Sequence, residues 1–403
     1  MPERKVYYFD NNATTRVAPE VVDAMLPLLR DNWGNPSSAY RFGNQAAQLV
    51  EKARASVAAL LHADPKELVF TSCGTESNNA VLQSALATQP GKRHIITTAV
   101  EHSAIMKHGE FLRSQGVEVT FLPVDADGTL DLNLLDQSIR SDTALVSVMW
   151  ANNETGVLFP VEEIAAICQS RNVPFHTDAT QVPGKLEMDV KALGVDFLSL
   201  SAHKLHAPKG IGLLYIKRRA KFQPYIVGGH QERGKRGGTE NTAGIVAFGR
   251  AAELAREHLE EENTRVRALR DRLENTILQT IPNTVRIGPK EPRLPNTSNI
   301  AFDFVEAEGI LMALDQLGIC VSSGSACTTG SLNPSHVLTA MGVKPARAKG
   351  CVRFSLGIYN TAEEVDYLLD HLPRVISKLR EASPHHGKGR ETKTSPELAA
   401  RTL

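Results

Sequence analysis

Two residues, Lys204 and Cys327, have sequence surroundings that would let them do covalent chemistry. Lys204 follows an apolar run and stands next to hydroxyl and imidazole groups in Ser-Ala-His-Lys (201–204). A lysine placed there can form a Schiff base with a carbonyl compound, although a loop lysine taken alone is usually only solvated. Cys327 lies in 322–331, where every other residue is small or hydroxylic. That composition predicts a mobile surface loop, in which an exposed thiol can ionise and react.

The other four cysteines have different surroundings. Cys73 lies in a predicted turn, and Cys168, Cys320 and Cys351 lie in apolar segments. Buried packing is the ordinary fate of a cysteine, and we expect it for these four. No two of the five have the Cys-x-x-Cys spacing of a zinc or redox site, and a long chain with a large core does not need a disulfide framework. The sequence therefore predicts one reactive cysteine and no metal site.

Polar clusters follow four predicted strands. They occupy residues 72–76, 101–103, 178–181 and 201–204. In an open parallel sheet, ligands bind beyond the carboxyl ends of the strands. Since each cluster begins where a strand ends, we expect all four to meet in one crevice. This convergence is stronger evidence for a site than any single residue in it.

The residue types in this crevice suit a phosphorylated aromatic cofactor. Asp178 needs a partner if it is buried. A helix cap or an internal salt bridge would serve, and so would a pyridinium nitrogen. Gly74 and Thr75 precede a predicted helix whose amides can bind a phosphate, although such a pair is often only a cap. Three further residues could join them, Ser201 and His203 at the phosphate and His102 stacked on the ring.

The elements that must position these residues alternate between strands and helices. We predict strands at 67–71, 94–98, 144–149, 173–176 and 196–200, with helices at 78–87, 105–114 and 161–169. The strands lack strict polar–apolar alternation, which is typical of strands covered on both faces. The pattern predicts an α/β fold with a mainly parallel sheet, and segment 210–216 is a candidate antiparallel strand.

A smaller α+β domain is predicted after this sheet. One or two long helices at 244–281 mark the junction, and strands at 299–304 and 352–356 follow, with a Leu-rich helix at 307–317. On the last strand, Val352, Phe354 and Leu356 share one face, so Arg353 points to the other face.

Composition limits the class of protein further. The 403 residues are 42% hydrophobic, and 45 basic residues balance 45 acidic ones. A nucleic-acid partner would call for a basic excess, and no apolar run is long enough to span a bilayer. The first charged residues are not followed by an apolar stretch as long as that of a signal peptide. We therefore expect a cytoplasmic protein that binds neither nucleic acid nor membrane.

Nine motifs, in order along residues 7 to 375, resemble those of the cysteine desulfurase family. They are Tyr-Phe-Asp-Asn-Asn-Ala-Thr-Thr (8–15), Gly-Asn-Pro-Ser-Ser (34–38), Thr-Ser-Cys-Gly-Thr-Glu-Ser-Asn-Asn (71–79), Val-Glu-His-Ser-Ala (100–104), Ala-Asn-Asn-Glu-Thr-Gly (151–156), His-Thr-Asp-Ala-Thr-Gln (176–181), His-Lys-Leu-His-Ala-Pro-Lys-Gly (203–210), Arg-Gly-Gly-Thr-Glu-Asn (236–241) and Ser-Ser-Gly-Ser-Ala-Cys-Thr (322–328). His-Lys-Leu-His-Ala-Pro and Gly-Gly-His-Gln-Glu-Arg-Gly (228–234) are most similar to the NifS branch.

The resemblance implies a fold-type I transferase that uses pyridoxal 5′-phosphate and forms a homodimer. Its large cofactor domain would span 16–255, and 1–15 would join 256–383 in the small domain. Residues 384–403 form a polar tail that we expect to be disordered.

The resemblance also implies which residues hold the cofactor. Lys204 would form the Schiff base, Asp178 would pair with the pyridine nitrogen, and His102 would stack on the ring. Asn153 and Gln181 would lie near the phenolic oxygen. The phosphate would be held by Gly74, Thr75, Ser201 and His203, with Thr239 supplied by the partner subunit.

For the substrate, L-cysteine, the resemblance implies that Arg353 binds the carboxylate with help from Asn11 or Asn12, close to Asn153. Lys204 would remove the α-proton and His102 would shuttle protons. Cys327 would take the sulfur as a persulfide, leaving alanine. A scaffold protein for iron–sulfur clusters, or another acceptor protein, would then receive the sulfur, and the NifS branch points to nitrogenase maturation.

Three rival interpretations remain open at this point. A selenocysteine lyase would share the fold and nearly all of these residues, and relative turnover of the two substrates would separate it. A fold-type I aminotransferase would have no use for a reactive Cys327. A non-catalytic scaffold would be expected to have lost cofactor residues, whereas Lys204, Asp178 and His102 are all present.

Overall fold

The computed structural model describes residues 5–323 and 335–382. Cys327 and the tail 384–403 lie outside these ranges, as does the start of the predicted small domain. The strands, in chain order, are β1 (Tyr7–Tyr8), β2 (Leu68–Thr71), β3 (His94–Thr98), β4 (Glu118–Leu122), β5 (Thr143–Ser147), β6 (Phe175–Asp178), β7 (Phe197–Ser201), β8 (Gly212–Ile216), β9 (Thr284–Arg286), β10 (Thr297–Phe302), β11 (Ile319–Cys320) and β12 (Cys351–Ser355).

The helices of the described residues cover most of the sequence between these strands. They are α1 (Pro19–Arg30), α2 (Arg41–Leu61), α3 (Gly74–Ala87), α4 (Ser103–Ser114), α5 (Leu132–Ser138), α6 (Val161–Ser170), α7 (Val190–Leu193), α8 (Thr242–Glu257), α9 (Leu259–Glu261), α10 (Arg267–Thr280), α11 (Ala307–Asp315), α12 (His336–Ala340), α13 (Pro345–Ala348) and α14 (Ala362–Ala382). A π-helical turn, Glu262–Val266, joins α9 to α10, and short 3₁₀ turns occupy Pro65–Glu67, Ala202–Lys204 and Gln231–Gly234.

A seven-stranded sheet forms the centre of the fold, in the order β2-β8-β7-β6-β5-β3-β4. β8 runs antiparallel to both of its neighbours, and the pairs from β7 through β4 are parallel. Both the mainly parallel sheet and the antiparallel strand at 210–216 are therefore confirmed. The edge strand β4 was not predicted, β3 spans the predicted residues, and the observed ends of the other predicted strands of this sheet lie within two residues of the expected ones.

Alternate residues of the central strands enter two different apolar cores. On β2, for example, Leu68 and Phe70 pack with α2 and α8, whereas Val69 packs with α3 and α4. Helices therefore cover both faces of the sheet, which explains why every strand except the edge strand β4 is buried along its whole length. The polar residues that follow these strands therefore start from the ends of a sheet that is packed on both faces.

α2 and α8 approach each other closely at Gly249. A Cβ at this position would lie 2.6 Å from the Cα of Ala53 on the facing helix, closer than two such atoms can pack. Glycine at 249 is therefore what lets the two backbones touch.

A separate apolar core lies on the antiparallel sheet β12-β10-β9. It contains Val352, Phe354 and Leu356, together with side chains of α10, α11 and α14. This confirms the predicted face of the last strand. The N-terminal segment contributes Phe9 to the same core, and β1 pairs with β11 in parallel. The domain boundaries themselves stay predictions.

Candidate active site

A cavity of about 310 Å³ lies at the carboxyl ends of β3, β6 and β7. All four predicted polar clusters reach it. From the predicted set it is lined by Asn12, Gly74, Thr75, His102, Asn153, Asp178, Gln181, Ser201, His203, Lys204 and Arg353. Residues that are far apart in the chain thus converge on one cavity, which we call the catalytic pocket.

Three predicted site residues are not among those that line the catalytic pocket. Asn11 faces a neighbouring cavity, and its amide donates to the Ser355 carbonyl (3.0 Å). Thr239 is exposed, so any contact with a phosphate in this pocket would have to come from a second subunit. Cys327 lies outside the described residues.

Lys204 enters the catalytic pocket from the 3₁₀ turn that follows β7. Its Nζ donates hydrogen bonds to the backbone carbonyls of Asn12 (2.5 Å) and Ala13 (2.7 Å). These bonds hold the amine between the end of the sheet and the N-terminal segment. The amine therefore reaches the pocket in a defined position.

Asp178 is the last residue of β6 and is buried. Asn78 donates to its Oδ2 (2.7 Å), and the amide of Thr180 donates to Oδ1 (3.0 Å). We did not single out Asn78 from the sequence. It stands four residues after Gly74 on α3, so both face the pocket, and this helical spacing could have identified it.

The start of α3 forms a cradle beside Asp178. Cys73 precedes the helix and makes no side-chain cap, so the first amides of a 14-residue helix point to the pocket without a capping group. A Cβ on Gly74 would lie 3.1 Å from Thr180 Oγ1 and 3.5 Å from the Cβ of Ser201. A side chain at 74 would crowd this space, which suits an anion such as a phosphate.

His102 caps α4, and its Nδ1 accepts a hydrogen bond from the Ala104 amide (3.1 Å). Burial lowers the pKa of His102 below its ordinary value; Asp178 opposes this shift, and Lys204 and His336 add to it. The imidazole is therefore neutral near pH 7, with its proton on Nε2, because Nδ1 is the acceptor. Burial likewise lowers the pKa of His203 to about 4.

Arg353 is held from two sides. Its Nη1 donates to the Asn153 carbonyl (2.8 Å), and its Nη2 donates to Asp10 Oδ1 (2.6 Å). Asp10 was not predicted as a site residue, and it lies 343 positions away in the chain. The buried Nε of Arg353 has no partner among the described residues, so the guanidinium keeps an unused donor.

Two amide side chains of the catalytic pocket differ in how they are used. Both polar atoms of the Asn12 side chain have hydrogen-bond partners, since Nδ2 donates to Thr297 Oγ1 (2.8 Å) and Oδ1 accepts from Asn296 (3.1 Å). Gln181 donates through Nε2 to the Asn12 carbonyl (3.1 Å), while its buried Oε1 has no partner among the described residues. Gln181 therefore offers a free acceptor to a ligand.

The described residues on either side of 324–334 contact Arg353, which lines the catalytic pocket, or residues next in the chain to its lining. Ser322 exchanges backbone hydrogen bonds with Arg353 (2.6 and 3.3 Å). On the other side, Ser335 donates to Glu154 Oε2 (2.6 Å), and His336 Nε2 lies 2.8 Å from the Glu101 carbonyl oxygen. The segment that contains Cys327 thus begins and ends beside pocket residues.

The four described cysteines fall into two groups. Burial raises the pKa of Cys168 and of Cys351 to about 12, and it also raises the pKa of Cys320. These three thiols are held protonated and inert, as expected. Cys73 instead lines the catalytic pocket and is only partly buried. We expected Cys73 to be a buried packing residue, and its position at the pocket differs from that expectation.

Glu101 is a buried acid directly before His102. Burial raises its pKa to about 8. Thr98 and the Met149 amide donate to Oε1 (2.8 and 3.0 Å), and Oε2 has no partner among the described residues. Glu101 is therefore protonated in the folded protein at neutral pH.

Replacing Glu101 with glutamine is expected to remove a pH dependence of stability. Between about pH 5 and pH 8 the unfolded chain loses the proton of Glu101 and the folded chain keeps it, so wild-type stability falls as pH rises. The free energy of unfolding of Glu101→Gln relative to wild type should rise by up to about 1.4 kcal/mol per pH unit. Urea unfolding across this range measures it. The exposed Glu162→Gln is the control, and an identical slope in both variants would contradict a protonated Glu101.

Two kinds of feature are absent from the described residues. No group of three or more His, Cys, Asp and Glu side chains could hold a metal ion there. No helix among the described elements combines the length and apolar character needed to cross a membrane.

Comparison with known proteins places this fold and pocket in a family. The Aminotransferase class-V profile matches residues 7–368, and the chain belongs to that family. It is 53% identical to cysteine desulfurase 2 of Trichormus variabilis over 379 residues, which cover 94% of this chain and 95% of the relative. It is 51% identical to the cysteine desulfurase NifS of Azotobacter vinelandii, with 94% of both chains covered. Within the family, the chain belongs with the cysteine desulfurases.

A solved structure agrees with this placement. A NifS-like protein of 41% identity superposes with a TM-score of 0.87, covering 92% of this chain and 99% of the other. The fold-type I architecture predicted from the sequence is therefore confirmed.

Proposed function

We propose that this cysteine desulfurase binds pyridoxal 5′-phosphate in the catalytic pocket and moves sulfur from L-cysteine to Cys327, forming L-alanine. The observation that supports this most is the convergence of Lys204, Asp178 and His102 on one cavity, beside the cradle at Gly74. An amine, a carboxylate and an anion cradle match the aldehyde, ring nitrogen and phosphate of this cofactor.

Each part of the cofactor has a partner of suitable chemistry. Asp178 would hold the ring nitrogen protonated, and Asn78 keeps that carboxylate in place (2.7 Å). Gln181 would lie near the phenolic oxygen of the ring, where its unpartnered Oε1 is free to accept a hydrogen bond. Gly74, Thr75, Ser201 and His203 would hold the phosphate, with Thr239 of a second subunit. Bound there, the cofactor would supply a protonated ring that accepts the electron pair released at the substrate's α-carbon.

Lys204 and His102 would move the protons of the reaction. The Lys204 amine, positioned by the carbonyls of Asn12 and Ala13, would take the α-proton of the substrate. His102 is neutral with its proton on Nε2, so it would deliver a proton and take one back. Arg353 would bind the substrate carboxylate, and Asp10 and Asn153 fix the plane of its guanidinium.

Cys327 would carry out the sulfur transfer. Its thiolate would attack the substrate sulfur, forming an S–S bond as the Cβ–S bond breaks. The electron pair of the broken bond stays with carbon, which is protonated to give alanine, and Cys327 is left as a persulfide. The contacts of Ser322 with Arg353 and of His336 with Glu101 support this role, because both ends of the Cys327 segment lie beside the pocket.

The wider setting is part of the same proposal. We infer a cytoplasmic homodimer that passes the persulfide sulfur to an iron–sulfur scaffold or another acceptor protein. The resemblance to NifS favours nitrogenase maturation as the destination.

Incubation of the purified protein with L-cysteine and pyridoxal 5′-phosphate tests the proposed activity. Alanine and sulfide should form in equal amounts when a thiol reductant is present, without any keto-acid acceptor. Omitting the keto acid excludes transamination as the source of alanine. Alanine formed only when a keto acid is added would contradict the proposal, and a much faster turnover of L-selenocysteine would favour a selenocysteine lyase.

A further inference from the structure

A second cavity, of about 250 Å³, lies behind Lys204. Lys204 lines both cavities, and the N-terminal segment forms a wall between them. Asn12 and Ala13 face the catalytic pocket, whereas Asn11 and Thr15 face the second cavity. We call it the Lys185 cavity, after the buried lysine that lines it together with Glu262. Its volume far exceeds the space that one water molecule needs.

Lys185 and Glu262 are both 5% exposed. Neither side chain forms a hydrogen bond or an ion pair with a described residue, and Glu262 Oε2 is buried without a partner. The two groups do interact electrostatically: burial lowers the pKa of Lys185, and the nearby Glu262 partly offsets this lowering. Burial raises the pKa of Glu262 to about 7. One basic and one acidic side chain are therefore buried at the same cavity without a direct contact between them.

Glu262 differs from the other acid next to it. Glu261 is bound by His258 (2.9 Å) and Arg265 (2.8 Å), so its charge is already compensated. Glu262 is instead the first residue of the π-helical turn. Such turns are rare, cost helix geometry and occur frequently at functional sites. The π-helical turn and the unpartnered oxygen are two separate indications that Glu262 binds a ligand.

The rest of the wall combines titratable side chains, among them Glu20, Lys204, His206 and His258, with an apolar patch. Pro183, Leu254, Ala255 and Leu356 form this patch. A buried charge without a partner is costly, and a ligand with one charge would leave the other group uncompensated. A small molecule with both a carboxylate and an ammonium group would satisfy Lys185 and Glu262 together, and a short apolar side chain would suit the apolar patch.

We propose that the Lys185 cavity binds a small zwitterionic amino acid, with its carboxylate at Lys185, its ammonium group at Glu262 and its side chain against Leu254 and Leu356. This site is distinct from the catalytic pocket and does not depend on the proposed reaction. An occupied cavity would restrain segment 11–15, in which the carbonyls of Asn12 and Ala13 accept hydrogen bonds from Lys204.

Binding of L-alanine to the cofactor-loaded protein tests this proposal. Titration calorimetry reports all bound alanine, and the visible absorbance of the cofactor reports only binding in the catalytic pocket. We expect a binding event that leaves the absorbance unchanged. Glu262→Gln and Lys185→Met should each weaken that event by roughly tenfold or more, because each removes a charge-assisted hydrogen bond. Exposed neighbours supply the controls, Glu260→Gln and Lys191→Met, which should bind as wild type does.

The choice of ligand adds a test that needs no mutation. Propionate lacks the ammonium group and ethylamine lacks the carboxylate, so both should bind at least about tenfold more weakly than L-alanine in the wild-type protein. The proposal is overturned if no absorbance-silent binding occurs. It is also overturned if Glu262→Gln, verified as folded by circular dichroism, binds alanine as wild type does, or if propionate binds equally well.

Discussion

Lys204→Ala should lower the rate of sulfide and alanine formation by about 10³-fold or more, because it removes both the covalent anchor of the cofactor and the base for the α-proton. The other pocket residues would still hold the cofactor, since Asp178 and the start of α3 are untouched. The variant should therefore bind pyridoxal 5′-phosphate reversibly, without the visible absorbance of a lysine-linked cofactor. Steady-state assays with absorbance spectra measure both effects.

The matched control for this experiment is Lys209→Ala. Lys209 lies in the same loop and is exposed, so its loss should change neither the activity nor the spectrum. Thermal unfolding of the Lys204 variant is needed as well, because Nζ also ties the loop to the carbonyls of Asn12 and Ala13. A folded Lys204→Ala protein that keeps the lysine-dependent absorbance would refute the role of Lys204.

Much of the catalytic pocket could be predicted because it depends on local rules. Each of Gly74, His102, Asp178 and Lys204 lies at or within a few residues of the end of a strand that is buried along its length. In a sheet with parallel strands, such positions share one edge. An error of one or two residues in a strand boundary does not move a loop residue away from that edge, so the convergence survives imprecise boundaries.

The parts that could not be predicted depend on contacts between distant segments. Asp10 reaches Arg353 across 343 positions, and Glu154 reaches Ser335 across 181. No spacing in the sequence encodes such pairs, because they follow from how the small sheet docks on the large one. The Lys185 cavity has the same origin, since Lys185 and Glu262 come from segments that meet only in the fold.

The edge strand β4 shows a different limit. Its residues Glu118–Leu122 have a mixed burial pattern, with Glu118 exposed and Val119 and Leu122 buried. A strand that is half solvated and follows directly on a helix lacks the continuous apolar run that marks the inner strands. The criterion that found the other six strands, including the buried edge strand β2, therefore misses this partly exposed one.

Cys327→Ala should abolish sulfide release from L-cysteine, while cofactor binding and its visible absorbance remain as in wild type. The thiolate is the group that would receive the sulfur, and methyl cannot replace it. Three of the four described cysteines cannot take over, because burial keeps their thiols protonated. Mass spectrometry of the wild-type protein after a single turnover should find one added sulfur atom on the peptide that contains Cys327.

Cys73 provides the decisive comparison, because it lines the catalytic pocket and is the nearest rival acceptor among the described cysteines. Its Sγ lies 3.7 Å from the Ser72 hydroxyl, and it stands at the start of the helix proposed to hold the phosphate. Cys73→Ala should retain sulfide release within about threefold of wild type. If Cys73→Ala instead loses the activity and Cys327→Ala keeps it, the sulfur acceptor is Cys73, and the role proposed for Cys327 is wrong.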